Sequence, residues 1–147
     1  MAAWFYPLYW LLQCSWGAAQ TLLGAGLFLY HLKRPHHFFR GAVLTDWPCR
    51  GGISLGPFIF AADDTKMKSP QARRAMAAHE IGHTLQSLLL GPFYLPVIGL
   101  PSFLWANCPR CQNLRRQSAI PYSFLYTERW ADQLAAKYAP PNAAGRV

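Results

Sequence analysis

The residues around position 80 constrain the fold most, because they carry the signals of one long helix. Ser69 is a good N-cap, Pro70 suits the first helical position, and no helix breaker follows until Gly91 and Pro92. Between these signals runs the segment QARRAMAAHEIGHTLQSLLL. The sequence therefore predicts a helix over about residues 70–90.

This helix contains the segment HEIGH, in which His79 and His83 stand four residues apart. At that spacing both imidazoles emerge on one helical face, one turn apart, so they can bind a single metal ion. Glu80 lies beside them, where its carboxylate can reach a metal-bound water. We expect the metal to be Zn²⁺, for which this pattern is a known ligand arrangement.

A catalytic zinc ion takes three protein ligands and a water, so the histidine pair needs one more ligand. The chain has only two glutamates, Glu80 and Glu128, and Asp132 follows Glu128 by four residues. We predict that Glu128 is the third ligand and that Asp132 accepts a hydrogen bond from the far ring nitrogen of a ligand histidine. The alternative is an ordinary exposed helix whose two acids repel each other slightly.

The N-terminal part of the chain has no charged side chain over residues 4–30, which is enough for one membrane-spanning helix. Aromatic residues stand at both ends of this run, and all 14 lysines and arginines follow it. These features predict a single-pass membrane protein, with a membrane helix over residues 1–32 and a cytoplasmic metal-binding domain over residues 33–147. Four polar residues within the run leave a buried hairpin or an interfacial helix as the alternative.

The remaining segments are shorter. Residues 41–47 and 53–61 are rich in β-branched and aromatic residues around the turn-like PCRGG, which predicts a β-hairpin. Residues 87–106 are uncharged, but a second span there would separate His83 from Glu128 across the bilayer, so we expect this segment to fold back or lie in the interface. A last helix is expected to begin near Ser123 or Thr127 and to end before Pro140.

The net charge of +8 raises the question of an anionic partner. The basic residues are scattered and no nucleic-acid motif accompanies them, so we expect no nucleic acid as partner and favour the headgroups of a lipid bilayer. We interpret Cys108 and Cys111 of the segment CPRC as two unlinked thiols in a loop, because no second cysteine pair accompanies them. The oligomeric state stays open.

The motifs together resemble a known group of enzymes. HEIGH followed by an ExxxD segment resembles the gluzincin branch of the zincin metallopeptidases. The run HEIGHTLQSLLLGPFYLPVIGLPS, with YTERWAD, QTLLG and GAVLTDW before SLGPFIF, is similar to a family of small bacterial membrane-associated zincin-like proteins. The resemblance spans roughly residues 10–135. The spacing of 45 positions from His83 to Glu128 is larger than in compact gluzincins.

The resemblance implies an α+β zincin-like minimal domain, with a β-hairpin or small sheet, an active-site helix and a C-terminal helix behind the membrane helix. It implies that His79, His83 and Glu128 bind zinc, that Glu80 is the general base, and that Asp132 supports a ligand histidine. The expected reaction is hydrolysis of a peptide or protein substrate by zinc-activated water. For an oxyanion donor the candidates are Tyr122, Tyr126 and His31.

Two other classes of function remain open from the sequence. A zinc-stabilised adaptor would fill the coordination sphere completely and leave Glu80 idle. A membrane interaction protein would keep the fold without metal and expose a large apolar patch. An intramembrane protease is a weaker enzyme alternative, because Arg73 and Arg74 stand just before HEIGH.

Overall fold

The computed structural model describes residues 5–63 and 65–139, and these form an α+β fold as predicted. Two short helices come first, then a four-stranded sheet, then the long helix and three further helices. The elements are α1 (Phe5–Ser15), α2 (Ala18–Tyr30), β1 (His36–Phe39), β2 (Ala42–Trp47), β3 (Gly52–Leu55), β4 (Phe58–Ala62), α3 (Pro70–Leu90), α4 (Leu100–Asn107), α5 (Pro109–Gln117) and α6 (Tyr126–Tyr138).

The predicted N-terminal transmembrane helix is wrong, and with it the single-pass localisation in the bacterial cell membrane. Among the described residues, no helix is both long enough and apolar enough to cross a bilayer. The chain instead breaks between Ser15 and Ala18 into α1 and α2, of 11 and 13 residues, which form a hairpin. α1 packs against α3, and α2 packs against β3, β4 and the turn after α3. The physical reason lies in two glutamines of the run, which turn inward to bond α3 and the turn after it rather than face a uniform hydrocarbon layer.

Two buried glutamines make these bonds. Gln13 Nε2 donates to the carbonyl oxygen of Thr84 at 2.9 Å, on α3. Gln20 Nε2 donates to Ser87 Oγ and to the carbonyl oxygen of Gly91, both at 2.9 Å. Ser87 in turn donates to Gln13 Oε1 at 2.9 Å. A buried amide needs such partners, so these bonds hold the helical hairpin in place beside the last turns of α3.

The sheet has the order β1-β2-β4-β3, and the predicted β-hairpin of residues 41–47 with residues 53–61 is wrong. β2 and β4 lie next to each other but run parallel. The second predicted strand splits at Gly56, whose φ of 61° reverses the chain, so β3 folds back antiparallel on β4 as an edge strand. β1 was not predicted, and it pairs antiparallel with β2 through a turn at Arg40 and Gly41.

The helix predicted over residues 70–90 is confirmed as α3, Pro70–Leu90. Ser69 caps it, since its Oγ accepts a hydrogen bond from the amide of Ala72 at 3.1 Å. α3 packs across one face of the sheet, where Leu44 of β2 and Ile59 of β4 meet Ala77 and Ile81 in the main apolar core. This core packs one face of α3 against the sheet, and other faces of α3 contact α1 and α6.

The chain after α3 folds back as expected. At Gly91 it turns with a φ of 53° into a short 3₁₀ helix (Gly91–Phe93), a π-helical turn (Leu95–Gly99) and then α4. The cysteine pair does not lie in a loop, because Cys108 is the N-cap residue of α5 and Cys111 lies in its first turn. α6 begins at Tyr126, close to the predicted Thr127, and ends at Tyr138.

α6 crosses α3 at very short range, and Gly82 makes this possible. A Cβ atom on Gly82 would lie 2.2 Å from the carbonyl oxygen of Ala131 on α6. Since this neighbour is backbone, the helices themselves would have to separate. Close contact at Gly82 therefore sets how near the side chains of α6 come to those of α3.

We expect Gly82→Ala to destabilise the fold by about 2 kcal/mol, because overpacking against backbone outweighs the helix propensity that alanine gains. Gly26→Ala is the matched control, since a Cβ atom there meets nothing within 4 Å, and it should stabilise α2 by roughly 0.5–1 kcal/mol. Urea unfolding of both variants measures the difference. Equal stability of the two variants would contradict the close packing.

Candidate metal centre and cleft

Three side chains predicted as ligands meet between α3 and α6. Glu128 Oε2 lies 3.1 Å from His79 Nε2 and 3.5 Å from His83 Nε2. Ligand atoms of all three residues lie within 4.8 Å of one another, so this group could hold one metal ion. Glu128 is almost completely buried and His83 is buried, which keeps bulk water from competing for the ligand atoms.

The far nitrogen of each histidine has its own partner. His79 Nδ1 lies 2.7 Å from Asp132 Oδ1, the position predicted for a supporting carboxylate. His83 Nδ1 lies 2.7 Å from Gln86 Oε1, and Gln86 Nε2 donates to the carbonyl oxygen of Thr127 at 2.8 Å. Both acceptors place the ring proton on Nδ1, which leaves each Nε2 lone pair directed at the metal position.

Sequence reasoning missed Gln86 and the residues that hold Glu128. Thr127 Oγ1 donates to Glu128 Oε1 at 3.3 Å, and Ser102 of α4 donates to Thr127 Oγ1 at 2.8 Å. Gln86 stands three residues after His83, on the same side of α3, and that spacing was the one available signal. Thr127 and Ser102 depend on how α4 meets α6, which no local pattern shows.

The ionisation of the ligands follows from this packing. Burial alone would raise the pKa of Glu128, but hydrogen bonds with His79 and His83 outweigh it and lower that pKa well below the usual range. Burial would likewise lower the pKa of His79, yet the hydrogen bond with Glu128, the charge of Glu80 and the hydrogen bond with Asp132 raise it to about 9. In the metal-free protein, the positive charge of protonated His79 therefore lies beside the Glu128 carboxylate, where a metal ion would otherwise provide the positive charge.

Glu80 lies beside the ligand cluster without joining it. Its carboxyl is buried, and burial raises its pKa above the ordinary value. Its Oε2 has no hydrogen-bond partner among the described residues. The carboxyl rests against the main chain of β3, where a Cβ atom on Gly52 would lie 2.3 Å from Glu80 Oε1. An unpaired buried oxygen of this kind is costly, and it marks a place where a proton or a polar reactant is expected.

A cleft of about 1040 Å³ opens over the cluster. The edge strand β3 forms one wall, and α4 with the turn before it forms the other. Tyr94 joins the two walls, since its buried hydroxyl donates to the carbonyl oxygen of Ser54 at 3.1 Å. Burial raises the pKa of Tyr94, so its hydroxyl stays protonated. Sequence reasoning did not single out this residue.

The three oxyanion candidates lie in different places. Tyr122 lines the cleft, and burial raises its pKa, so it keeps its proton. Tyr126 donates its hydroxyl to the carbonyl oxygen of Val97. His31 packs against Trp47 and Phe60 at one end of the sheet. Of the three, Tyr122 is the one that the structure brings to the cleft.

Comparison with known proteins found no matching family model, no similar curated protein and no similar solved structure. The resemblance to small zincin-like proteins therefore stays a prediction from the motifs. The geometry of the site stands independently of it, because it comes from the packing of α3 against α6.

We expect the affinity of the centre for Zn²⁺ or Co²⁺ to rise with pH until the pH reaches about 9, the raised pKa of His79. Below that value the metal must displace one proton, so the dissociation constant should fall about tenfold per pH unit. In the metal-free protein, fold stability changes with pH in the opposite direction and falls as the pH rises. The protonated histidine stabilises the fold fully below its unfolded pKa of about 6.5, and this contribution is lost as the pH rises through about 9.

Competition titration with a chromophoric chelator across this range measures the affinity. A dissociation constant that does not change with pH would contradict a protonated His79 in the metal-free site.

Proposed function

We propose that this protein is a zinc-dependent peptidase in which Glu80 acts as the general base. The observation that carries the proposal is the buried, unpaired Glu80 carboxyl beside a cluster of two imidazoles and one carboxylate. Two histidines and a glutamate with an open fourth position form a known catalytic zinc site. Burial raises the pKa of Glu80 above that of an ordinary carboxyl, which makes it a stronger base beside such a site.

The number of ligands favours catalysis over a purely structural metal. Structural zinc sites have four protein ligands, whereas catalytic sites keep one position for water or substrate. Among the described residues, the metal-capable group contains His79, His83 and Glu128 alone. Asp132 is the nearest further acid on α6, and its Oδ1 is already bonded to His79 Nδ1. The zinc-stabilised adaptor is therefore the less favoured alternative.

Zinc bound by these residues would polarise a substrate carbonyl and lower the pKa of water, which is the chemistry that peptide hydrolysis needs. Glu80 would accept the proton of the attacking water and return it to the leaving nitrogen. Tyr122 lines the cleft and keeps its proton, so it would be the candidate to donate to the developing oxyanion.

The edge strand β3 supports an extended peptide as substrate. In an antiparallel pair, every second residue directs its main-chain groups at the partner strand. Ala62 N donates to the carbonyl oxygen of Gly51 at 3.0 Å, so in this register the main-chain groups of Ile53 also face β4. The main-chain groups of Gly52 and Ser54 therefore point away from β4 along the cleft wall, where the Ser54 carbonyl already accepts from Tyr94 and the groups of Gly52 are left for a peptide. A peptide can add to this edge as a further strand, which brings one of its peptide bonds past Glu80.

Glu80→Gln should retain zinc and lower peptide cleavage by about 100- to 10,000-fold, because the amide keeps the shape but cannot take the proton. Glu128→Ala is the comparison variant, and it should lose both zinc and cleavage. The measurement is zinc content by elemental analysis together with cleavage of a mixed-sequence peptide library, read by mass spectrometry. Zinc-loaded wild type that cleaves no peptide, or a Glu80→Gln variant as active as wild type, would contradict the proposal.

Gly52→Ala tests the contact between Glu80 and β3. The added Cβ atom would overlap Glu80 Oε1 and displace the carboxyl, so cleavage should fall at least about tenfold while zinc stays bound. Cys49→Ala is the matched control, since it is an exposed position on the rim of the same cleft. Steady-state cleavage rates at equal zinc content compare the two. Unchanged kinetics in Gly52→Ala would show that Glu80 does not act from this position.

A further inference from the structure

In the two N-terminal helices most polar side chains face inward and most exposed side chains are apolar. The inward positions of α1 and α2 include Gln13, Gln20 and Thr21, all buried and hydrogen-bonded. The outward positions are leucines of which 36–72% of the surface is exposed: Leu8, Leu11, Leu12, Leu22, Leu23 and Leu29. A helix that faces water has the opposite arrangement. This outward leucine face therefore fits an apolar environment.

The face continues into the segment after α3. The indole of Trp16, at the turn between α1 and α2, lies so close to Gly91 that a Cβ atom there would overlap it. From that contact onward the exposed large side chains are again apolar: Leu89, Phe93, Val97, Leu100, Phe103 and Leu104. Neither residues 5–30 nor residues 87–106 contain an aspartate, glutamate, lysine or arginine. Exposed apolar patches of this extent mark an interaction surface.

The chemistry of this face fits lipid better than protein. Protein interfaces carry about one hydrogen bond per 100–200 Å² and a polar rim. On the outer face of α1 the hydroxyl of Ser15 is already bonded to the carbonyl oxygen of Leu11. The exposed positions of α2 are Ala19, Leu22, Leu23, Gly26, Leu29 and Tyr30. Such a face can fill hydrocarbon but offers a protein partner almost no hydrogen bonds.

The ends of the face carry the residues that lipid headgroups attract. Trp16 lies at the turn and Tyr30 at the far end of α2, the two aromatic types that concentrate at membrane interfaces. Lys33 and Arg34 follow α2, and α5 follows α4 with the exposed Arg110 and Arg116. The net charge of the chain is +8. This distribution is complementary to an anionic bilayer surface.

We propose that the outward faces of α1 and α2, together with the exposed apolar side chains of residues 89–104, bind an anionic lipid surface and enter one leaflet without crossing it. Helices of 11 and 13 residues are too short to span a hydrocarbon layer, which needs about 20 residues. They are long enough to lie in the interface with their leucines in the acyl region. This inference does not depend on the proposed peptidase activity.

Vesicle flotation of the full chain tests the inference. The vesicles are phosphatidylcholine alone, or phosphatidylcholine with about 30 mol % phosphatidylglycerol as the anionic lipid. Wild type should float with both and more strongly with the anionic vesicles. The variant Leu22→Asp/Leu29→Asp should bind at least about tenfold more weakly, because two carboxylates would have to enter hydrocarbon.

The control is Lys137→Gln/Tyr138→Asp, which changes the net charge by the same amount at an exposed site on α6. It should float like wild type, and all three proteins should unfold at similar temperatures. Flotation of wild type should also persist at about 1 M NaCl, where charge attraction alone is screened. Three results would overturn the inference: equal flotation of the leucine variant, no flotation of wild type, or a wild type that stays in solution as a dimer with the leucine face covered by a second copy.

Discussion

The close crossing of α3 and α6 at Gly82 is the contact on which the rest of the site depends. Gly82 stands between His79 and His83, and Ala131, whose carbonyl oxygen lies against it, stands between Glu128 and Asp132. One helix crossing therefore delivers a ligand carboxylate to both imidazoles and a supporting carboxylate to one of them. A larger residue at position 82 would move both acids away from both histidines together.

The two glutamates of the chain lie at the same site but in opposite electrostatic surroundings. Hydrogen bonds with two histidines lower the pKa of Glu128, so it is a carboxylate that can bind a metal ion. Glu80 lacks such partners, and its burial raises its pKa. Environment thus separates two identical side chains into a candidate ligand and a candidate base, a division of roles found at other acid–base sites.

What could be predicted from the sequence is what local patterns determine. Ser69 and Gly91 marked the bounds of α3, and HEIGH with the ExxxD segment identified the residues that the structure brings together. The prediction of a transmembrane helix was wrong because a run without charges shows that a segment is apolar, but not which side of each helix faces the protein interior. Gln13 and Gln20 are bonded to α3, so the leucines face outward on two short helices. The predicted β-hairpin was wrong because β2 pairs in parallel with β4, which no local pattern shows. Gln86 was missed because its amide is oriented towards His83 by the Thr127 carbonyl, which comes from another helix.

His79, His83 and Glu128 are expected to hold one metal ion together. The most direct measurement is the zinc content of the purified full chain by elemental analysis, wild type beside Glu128→Ala and His83→Ala. We expect about one zinc ion per wild-type chain and much less in both variants, because each variant loses one of three ligands. A wild type without zinc after incubation with the metal, or variants that retain as much zinc as wild type, would contradict it.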